Sequence, residues 1–454
     1  MANRTGADYI KALRDGREVW YGSKRIDDVT THSGFTGTIK TLADLYDMQH
    51  AAEYKDIMTV EYEGERISYS YLPPRSPEEL ALKRRNIELW SQQTFGQMGR
   101  YPDFCAQLVV GLFDWAHIIE KTNTKWAENA RAYHRHASRN DLCLTHALTD
   151  QYYDRTKRVS EQEDPDLILH IVGETSKGAV VRGLRTLATL APLSDEVLVY
   201  PNRARDADEA DYAIAFALPM NAPGLKIVCR DLYAEHADPQ RHPLTTRFDE
   251  VDAALIFDDV IVPWERIFVY KDPKLLAGVM YIHTWAQYST MLRLITKLEG
   301  FLGVAQLLTR LAKRNTSASS QILLSSLMQD IEILRACVQV AGSNGYRAGG
   351  GTWAPLLSPA YRVHSIEASD RAERTMEGLL TSTLMLSGGA TTTREHLRLM
   401  AVAADMVMTS FGKRSQLYER LQSGEVDRMR QRLYNQFNDP TPAQRMMRFV
   451  KDMG

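Results

Sequence analysis

Three polar residues lie where the sequence could support chemistry: Arg100, His146 and Thr189. Arg100 follows Gly99 and precedes a helix start at Pro102, and the unpaired N–H groups of such a start attract anions. His146 lies where a helical pattern gives way to a β-rich one, and Thr189 lies in a β-rich run. Each residue alone has a plainer interpretation: a surface ion pair, a hydrogen-bonded structural histidine and an ordinary strand threonine.

Several motifs of other enzyme classes are absent from the sequence. It contains no G-x-G-x-x-G after an early strand, no G-x-x-x-x-G-K-[ST], no G-x-S-x-G and no H-E-x-x-H. A monooxygenase that reduces its own flavin with NAD(P)H normally carries the first of these. We therefore expect no nicotinamide site, no serine nucleophile and no metal site in this chain.

Charge and cysteine content exclude further classes. The 454 residues include 55 Lys and Arg against 57 Asp and Glu, a net charge of −2, which disfavours nucleic-acid binding. The four cysteines are far apart and form no C-x-x-C pair, so a disulfide framework or zinc site is not expected. No signal peptide or membrane span is recognisable, and we expect a cytoplasmic protein with no membrane partner.

The pattern of elements changes twice along the chain. Residues 1–143 show helical periodicity, 144–270 contain short β-rich runs, and 271–454 contain four long apolar stripes at helical spacing. Because no helical run separates successive strands, the middle segment is predicted to be a barrel or sandwich. The stripes predict a C-terminal bundle of four helices, and Gly349–Gly351 are predicted to form a loop between two of them.

Seven sequence blocks stand out along the chain, in this order: RTGADYIKAL, VTTH, FGQMGRYPDF, THALTDQYYDR, GAVVRGLRTLATLAPLSDEVLVYP, FDDVIVPWERIFVY and SFGKRSQLYERL. Together they resemble the oxygenase component of 4-hydroxyphenylacetate 3-monooxygenase, from about residue 4 to about residue 440. Blocks of this length in this order are a stronger signal than any short motif.

The resemblance implies an α+β, acyl-CoA-dehydrogenase-like fold. Its parts would be an N-terminal helical domain (1–143), a middle β-barrel domain (144–270) and a C-terminal four-helix bundle (271–454), assembled as a homotetramer. It also implies a two-component monooxygenase in which FADH2 and O2 form a C4a-hydroperoxide that hydroxylates a phenolic substrate. A separate NAD(P)H:flavin reductase would supply the reduced FAD.

The resemblance also implies roles for individual residues. Arg100 and His146 would meet the substrate hydroxyl and stabilise its developing negative charge, and Thr189 would lie beside the flavin ring. The positions that match the family's FAD contacts are His146, Ala147, Leu148, Arg155, Thr189, Glu425, Val426, Asp427 and Arg428. Arg155 and Arg428 are the expected pyrophosphate contacts, because guanidinium geometry suits phosphate oxygens.

Two departures from the family pattern affect substrate choice. Phe104 stands where the hydroxyphenylacetate enzymes have a tyrosine, and Asn202 and Arg203 stand where they have a Ser-Thr pair on a loop over the substrate. The substrate-binding set is therefore Arg100, Phe104, His146, Asn202 and Arg203, with the particular aromatic left open.

Three alternatives remain at this stage. A halophenol- or nitrophenol-type monooxygenase of the same family would use the same chemistry on a different carbon. A 4-hydroxybutyryl-CoA-dehydratase-like enzyme needs an iron–sulfur cluster, but no cysteine lies near His283 to complete one with Cys105 and Cys143. An inactive flavin-fold scaffold is the non-enzymatic alternative.

Overall fold

The computed structural model describes residues 3–384, 393–424 and 426–437, together with residues 441, 444, 446 and 447. The helices are α1 (Gly6–Ala12), α2 (Ser33–Met48), α3 (Lys55–Met58), α4 (Pro77–Gln93), α5 (Pro102–Ile119), α6 (Thr124–Arg139), α7 (Thr245–Phe248), α8 (Pro273–Leu276), α9 (His283–Leu311), α10 (Ala318–Ser343), α11 (Pro359–Leu384), α12 (Arg394–Val407), α13 (Ser410–Ser423) and α14 (Val426–Phe437). The strands are β1 (Glu18–Tyr21), β2 (Lys24–Ile26), β3 (Thr59–Tyr62), β4 (Glu65–Ser68), β5 (Leu144–Ala147), β6 (His170–Glu174), β7 (Gly178–Thr189), β8 (Glu196–Val199), β9 (Ile214–Pro219), β10 (Leu225–Cys229), β11 (Asp252–Pro263), β12 (Ile267–Tyr270), β13 (Tyr346–Arg347) and β14 (Trp353–Ala354).

Local sequence signals set the helix starts near the candidate site. The Ser76 side chain caps α4 by accepting from the Glu79 N–H, and Pro77 takes the first helical position. Pro102 begins α5, whose buried face is almost continuous, so this helix passes through the core. Arg100 therefore lies in the short connection between α4 and α5, and Phe104 lies in the first turn of α5.

The strands form two main sheets, and the expectation of a closed β-barrel is wrong. One sheet has the order β2-β1-β10-β11-β7-β6 and the other has the order β12-β9-β8-β5. They pack against each other through rings such as Phe216 and Phe257, whose centroids are 6.1 Å apart. In the described residues both sheets are open, with unpaired outer strands. β1 pairs in parallel with β10 and extends the first sheet, and it does not close the strands into a barrel.

The N-terminal segment thus supplies two strands to a sheet whose other strands come from the middle of the chain. Val19 of β1 lies opposite Ile227 of β10, so this sheet crosses the boundary expected near residue 143. The division into 1–143, 144–270 and 271–454 stays a prediction. No helix in the described ranges is long and apolar enough to cross a membrane.

The C-terminal bundle contains α9, α10 and α11, with α12 and α13 in place of the single fourth helix expected from the stripes. Thr409 separates α12 from α13. Its hydroxyl donates to the Asp405 carbonyl at 3.0 Å and accepts from the Gly412 N–H at 3.1 Å. A side chain at position 412 would meet the backbone oxygens of residues 405 and 406. This tight break directs α13 back toward the candidate site.

A buried ion triad joins α13 to α9. The Glu419 carboxylate accepts from Arg293 at 2.6 Å and from Lys297 at 2.9 Å, and all three side chains are buried. Burial raises the pKa of Glu419, but Arg293 and Lys297 outweigh that effect and lower it to about 2. The triad fixes α13 against the bundle at the level of the site described below.

We expect Glu419→Gln to lower the free energy of unfolding at neutral pH by about 3 kcal/mol, because two buried cations lose their counter-charge. The depressed pKa makes this contribution present above the ordinary carboxyl range and lost as pH falls toward 2. Denaturant unfolding of variant and wild type between pH 7 and 3 should therefore show a gap that narrows in acid. Asp44→Asn, at the exposed Lys40–Asp44 pair, should cost less than about 1 kcal/mol; an equal loss in both variants would contradict the interpretation.

Candidate active site

Four separate elements bring aromatic and basic side chains together at the start of α5. The guanidinium carbon of Arg100 lies 3.8 Å from the Phe104 ring centroid, which lies 5.6 Å from the His146 ring. His146 comes from β5, Tyr200 directly follows β8, and His283 begins α9. We call these five residues the aromatic cluster. All five are buried, although they come from four segments that are far apart in the sequence.

A line of hydrogen bonds crosses the aromatic cluster. The Tyr200 hydroxyl lies 2.9 Å from His146 Nδ1 and 2.9 Å from His283 Nε2. Parallel pairing of β5 with β8 places His146 opposite Leu198, two residues before Tyr200. The other ring nitrogen of His146, Nε2, takes no part in this line of bonds.

Neutral groups surround the Arg100 guanidinium. It donates to the Gly99 carbonyl at 3.2 Å, to Gln422 Oε1 at 2.9 Å and to the Tyr418 hydroxyl, and its Nε is buried without a partner. Among the residues that the structure describes, no carboxylate pairs with this guanidinium. The Phe104 face and the Tyr418 ring stabilise it by cation–π contacts.

Burial controls the protonation of the aromatic cluster. It lowers the pKa of Arg100 to about 10, which leaves the guanidinium charged at neutral pH. Burial, with Arg100 and His283 adding to the effect, lowers the pKa of His146 well below its ordinary value. Burial and the charges of Arg100 and Arg362 lower the pKa of His283 to about 3. The cluster is therefore one fixed cation beside two neutral imidazoles, an environment that favours an anionic oxygen.

An ion-pair network ties the Arg100 loop to Thr189. The Glu250 carboxylate accepts from the backbone N–H of Gly99 at 2.8 Å and from that of Arg100. Arg414 of α13 donates to Glu250 at 3.2 Å and to both oxygens of Asp252 at 2.7 and 2.8 Å. The Thr189 hydroxyl donates to Asp252 at 2.6 Å.

Asp252 is charged throughout the ordinary pH range. Burial raises its pKa, but Arg414, the Thr189 hydroxyl and Arg230 outweigh burial and lower it to about 2. The proton of the Thr189 hydroxyl is therefore committed to a carboxylate, and its oxygen lone pairs are left to accept from another group. The network holds Arg100 and Thr189 in fixed relative positions.

The predicted lid residues Asn202 and Arg203 are exposed. The Asn202 N–H donates to the Leu148 carbonyl at 3.0 Å, and the Arg203 guanidinium carbon lies 5.2 Å from the Tyr152 ring centroid. Ala147 is buried beside His146, and its carbonyl accepts from the Tyr200 N–H at 3.2 Å. The loop after β8 therefore packs along the segment after β5.

The remaining predicted FAD residues are exposed, apart from the half-buried Val426 and from Glu425, which the structure does not describe. Arg155 is exposed in a turn, Val426 begins α14, and Asp427 and Arg428 are exposed in its first turn. Glu425 lies outside the described residues.

Further cations lie near Arg428. Burial and the charges of Arg428 and Arg362 lower the pKa of Arg432. The charge of Arg362 also lowers the pKa of His283. We call Arg362, Arg428 and Arg432 the basic patch. It is formed by α11, which carries Arg362, and α14, which carries Arg428 and Arg432. The charge and the hydrogen-bond donors of these three side chains suit a pyrophosphate.

Sequence reasoning missed Tyr200, His283, Glu250, Asp252 and Arg414. Tyr200 and Arg414 fall inside blocks that carried the family resemblance, but a tyrosine after a strand and an arginine in a helix have ordinary structural roles. His283 entered only as a neighbour of a hypothetical cluster site. In the described ranges no group of three or more metal-ligating side chains occurs, and Cys105 and Cys143 are buried free thiols.

Comparison with known proteins gives matches over nearly the whole chain. Residues 5–269 match the family described as 4-hydroxyphenylacetate 3-hydroxylase N terminal, and residues 382–451 match its C-terminal counterpart. The chain is 36% identical to the 4-hydroxyphenylacetate 3-monooxygenase oxygenase component of Thermus thermophilus, covering 99% of this chain and 98% of that protein.

Two solved structures place the fold. A crystal structure of the oxygenase component of 4-hydroxyphenylacetate 3-monooxygenase, complexed with FAD and 4-hydroxyphenylacetate, superposes with a TM-score of 0.91 at 34% identity, covering 99% of both chains. A 4-hydroxybutyryl-CoA dehydratase from N. maritimus superposes with a TM-score of 0.87 at 17% identity, covering 100% of this chain and 96% of that one, and shares the fold alone. The architecture is the acyl-CoA-dehydrogenase-like one.

Proposed function

The chain belongs to the 4-hydroxyphenylacetate 3-hydroxylase family and is the oxygenase component of a two-component flavin monooxygenase; from that premise we propose that it holds the oxygen of a phenolic substrate between Arg100 and His146. The observation that carries the proposal is the buried Arg100 cation, whose guanidinium contacts only neutral groups. A buried charge needs a counter-charge, and a phenolate in contact with the guanidinium supplies it.

Each proposed catalytic residue has a distinct task. Arg100 stays positive and stabilises the negative charge that develops on the phenol oxygen. His146, neutral in the free protein, presents Nε2 to the phenol and can accept its proton. Thr189 offers an oxygen acceptor beside the reacting groups, because Asp252 holds its proton.

The donor set fits FAD. The basic patch can hold the pyrophosphate, with Arg155 as a further exposed cation, while Ala147, Leu148, Val426 and Asp427 supply backbone groups. When bound in its reduced form, FAD activates O2 so that one oxygen atom can be transferred to the aromatic ring. The protein's part is to orient the phenol, exclude water and neutralise the charge on its oxygen.

The substrate differs from the phenols that a tyrosine hydroxyl at position 104 would select, because this chain has Phe104 there. Phe104 offers Arg100 a flat face and no hydrogen bond, so the guanidinium retains more donors for the substrate oxygen. The exposed Arg203, on the loop after β8, favours a phenol that carries an acidic group at its far end. The change at position 104 thus acts at the reacting end, beside Arg100, whereas the cation at position 203 acts at the distal end of the substrate.

We expect product only when reduced FAD is supplied from outside, because the chain has no recognisable nicotinamide-binding motif. Purified protein with NADH, FAD and a panel of phenols should give no hydroxylated product by mass spectrometry. Adding an NAD(P)H:flavin reductase, or chemically reduced FAD in air, should give a product heavier by one oxygen atom. Turnover with NADH and FAD alone, in protein free of reductase, would contradict the two-component interpretation.

We expect Arg100→Ala to reduce hydroxylation by roughly 10²–10⁴-fold while reduced FAD is still oxidised, because the phenolate loses its stabilising charge. Hydrogen peroxide should then accumulate in place of product. Arg100→Lys should retain part of the activity, since it keeps the charge without the planar donors. Arg139→Ala, at an exposed ion pair with Glu65, is the matched control and should behave as wild type. Full coupling in Arg100→Ala would disprove the site assignment.

We also propose that the chain forms a homotetramer. Ile322, Ile333 and Val340 lie about three and two turns apart on one face of α10, and they are 67%, 37% and 54% exposed. Leu417 and Leu421 form a second exposed apolar pair on α13, at 61% and 62%. Two separate apolar faces on one chain support two kinds of contact, as a tetramer built from two dimers requires.

Light scattering of the wild type should therefore give about four times the 51.5 kDa chain mass. Ile322→Asp combined with Val340→Asp should halve that mass, because charge on the α10 face opposes burial. Leu82→Asp, an exposed leucine on α4, is a control that should leave the mass unchanged. A monomer in the wild type at micromolar concentration would contradict the tetramer.

A further inference from the structure

Tyr200 lies between two imidazoles that are both neutral, and this fixes how protons can be arranged. A tyrosine hydroxyl donates one hydrogen bond and accepts others, and a neutral imidazole has one donor and one acceptor nitrogen. In the described part of the chain these two ring nitrogens are the only hydrogen-bond partners of the buried Tyr200 hydroxyl, at 2.9 Å each, so its own proton goes to one imidazole and the other imidazole donates to it. The tautomers of His146 and His283 are therefore coupled through Tyr200.

Two arrangements satisfy both hydrogen bonds. In the first, His283 Nε2–H donates to Tyr200, which donates to His146 Nδ1, so the proton of His146 lies on Nε2. In the second, His146 Nδ1–H donates to Tyr200, which donates to His283 Nε2, so His146 Nε2 carries a lone pair. Only the second arrangement can accept a proton from a phenol at Nε2.

We propose that Tyr200 and His283 are positioning residues that form a proton relay behind His146, and that the relay delivers the proton of the bound phenol to His283. The inference rests on the proposed function, because it needs the phenol oxygen at His146. The phenol O–H bond breaks as His146 Nε2–H forms, His146 Nδ1–H passes to the Tyr200 oxygen, and the proton of Tyr200 passes to His283 Nε2. No electron is transferred.

Charge balance favours this transfer only with the phenol in place. The groups that face the relay are Arg100 from the connection before α5, Cys105 from α5 and Arg362 from α11. In the free protein, burial and the two arginines hold His283 neutral. A phenolate against Arg100 offsets that repulsion, so the imidazolium of His283 and the phenolate form together and remain separated by His146 and Tyr200. The ring centroids of the two histidines are 5.9 Å apart.

A chromophoric phenol bound without turnover tests the relay. The holoenzyme with oxidised FAD is titrated with 4-nitrophenol, and difference absorbance reports the fraction ionised as a function of pH. We expect the bound phenol to ionise at lower pH in the wild type than in Tyr200→Phe or His283→Gln, with midpoints at least one unit higher in both variants. His283→Gln retains hydrogen-bonding groups but takes up no proton, so it separates proton delivery from simple orientation.

Matched variants distinguish the possible failures. Tyr71→Phe removes the hydroxyl of another buried tyrosine, which donates to the Leu142 carbonyl at 2.7 Å, and should keep the wild-type midpoint. Thermal unfolding of each variant confirms that it is folded. A wild-type midpoint in His283→Gln overturns the relay. Wild-type binding of the phenol in Arg100→Ala overturns the proposed site itself, which is a different result.

Discussion

The burial of the Arg100 cation is the constraint on which the rest of the site depends. Removing a guanidinium from water costs several kcal/mol unless other groups replace the lost hydration. Here the replacement is the Phe104 face, the Tyr418 ring and hydroxyl, and the Gln422 and Gly99 oxygens, all of which are neutral. These contacts hold the side chain in place and leave its charge uncancelled. The site is thus prepared for an anion before any ligand arrives.

The neighbouring carboxylates are kept from cancelling that charge. Glu250 binds the backbone N–H groups of the Arg100 loop and the side chain of Arg414, so it fixes the position of Arg100 without pairing with its guanidinium. Asp252 is occupied by Arg414 and Thr189, and Glu419 by the cations of α9. Each acid is thus bound by groups other than the Arg100 guanidinium. This distribution explains why the Arg100 charge stays uncancelled in a region rich in acids.

The sequence predicted the elements better than it predicted their connections. Strands β6 to β12 follow from alternation and turn residues, and the starts of α4 and α5 follow from capping residues and prolines, because these signals are local. The participation of β1 in the large sheet and the break at Thr409 depend on partners far along the chain. The same holds for the candidate site: motif blocks predicted Arg100, His146 and Thr189, whereas Tyr200 bonds to His146 across 54 residues of sequence and His283 bonds to Tyr200 across 83.

The departures from the family pattern separate reaction from recognition. Phe104 is buried and contacts Arg100 by its ring face, an interaction that tyrosine would also provide, so the cation remains in place whichever residue is present. Asn202 and Arg203 are exposed on a loop whose backbone is attached to the segment after β5, so their side chains can change without moving His146. Substitutions at these positions can therefore alter the distal end of the substrate. The line from Arg100 through His146 to His283 is buried and held by hydrogen bonds and ring contacts, so its residues have no such freedom.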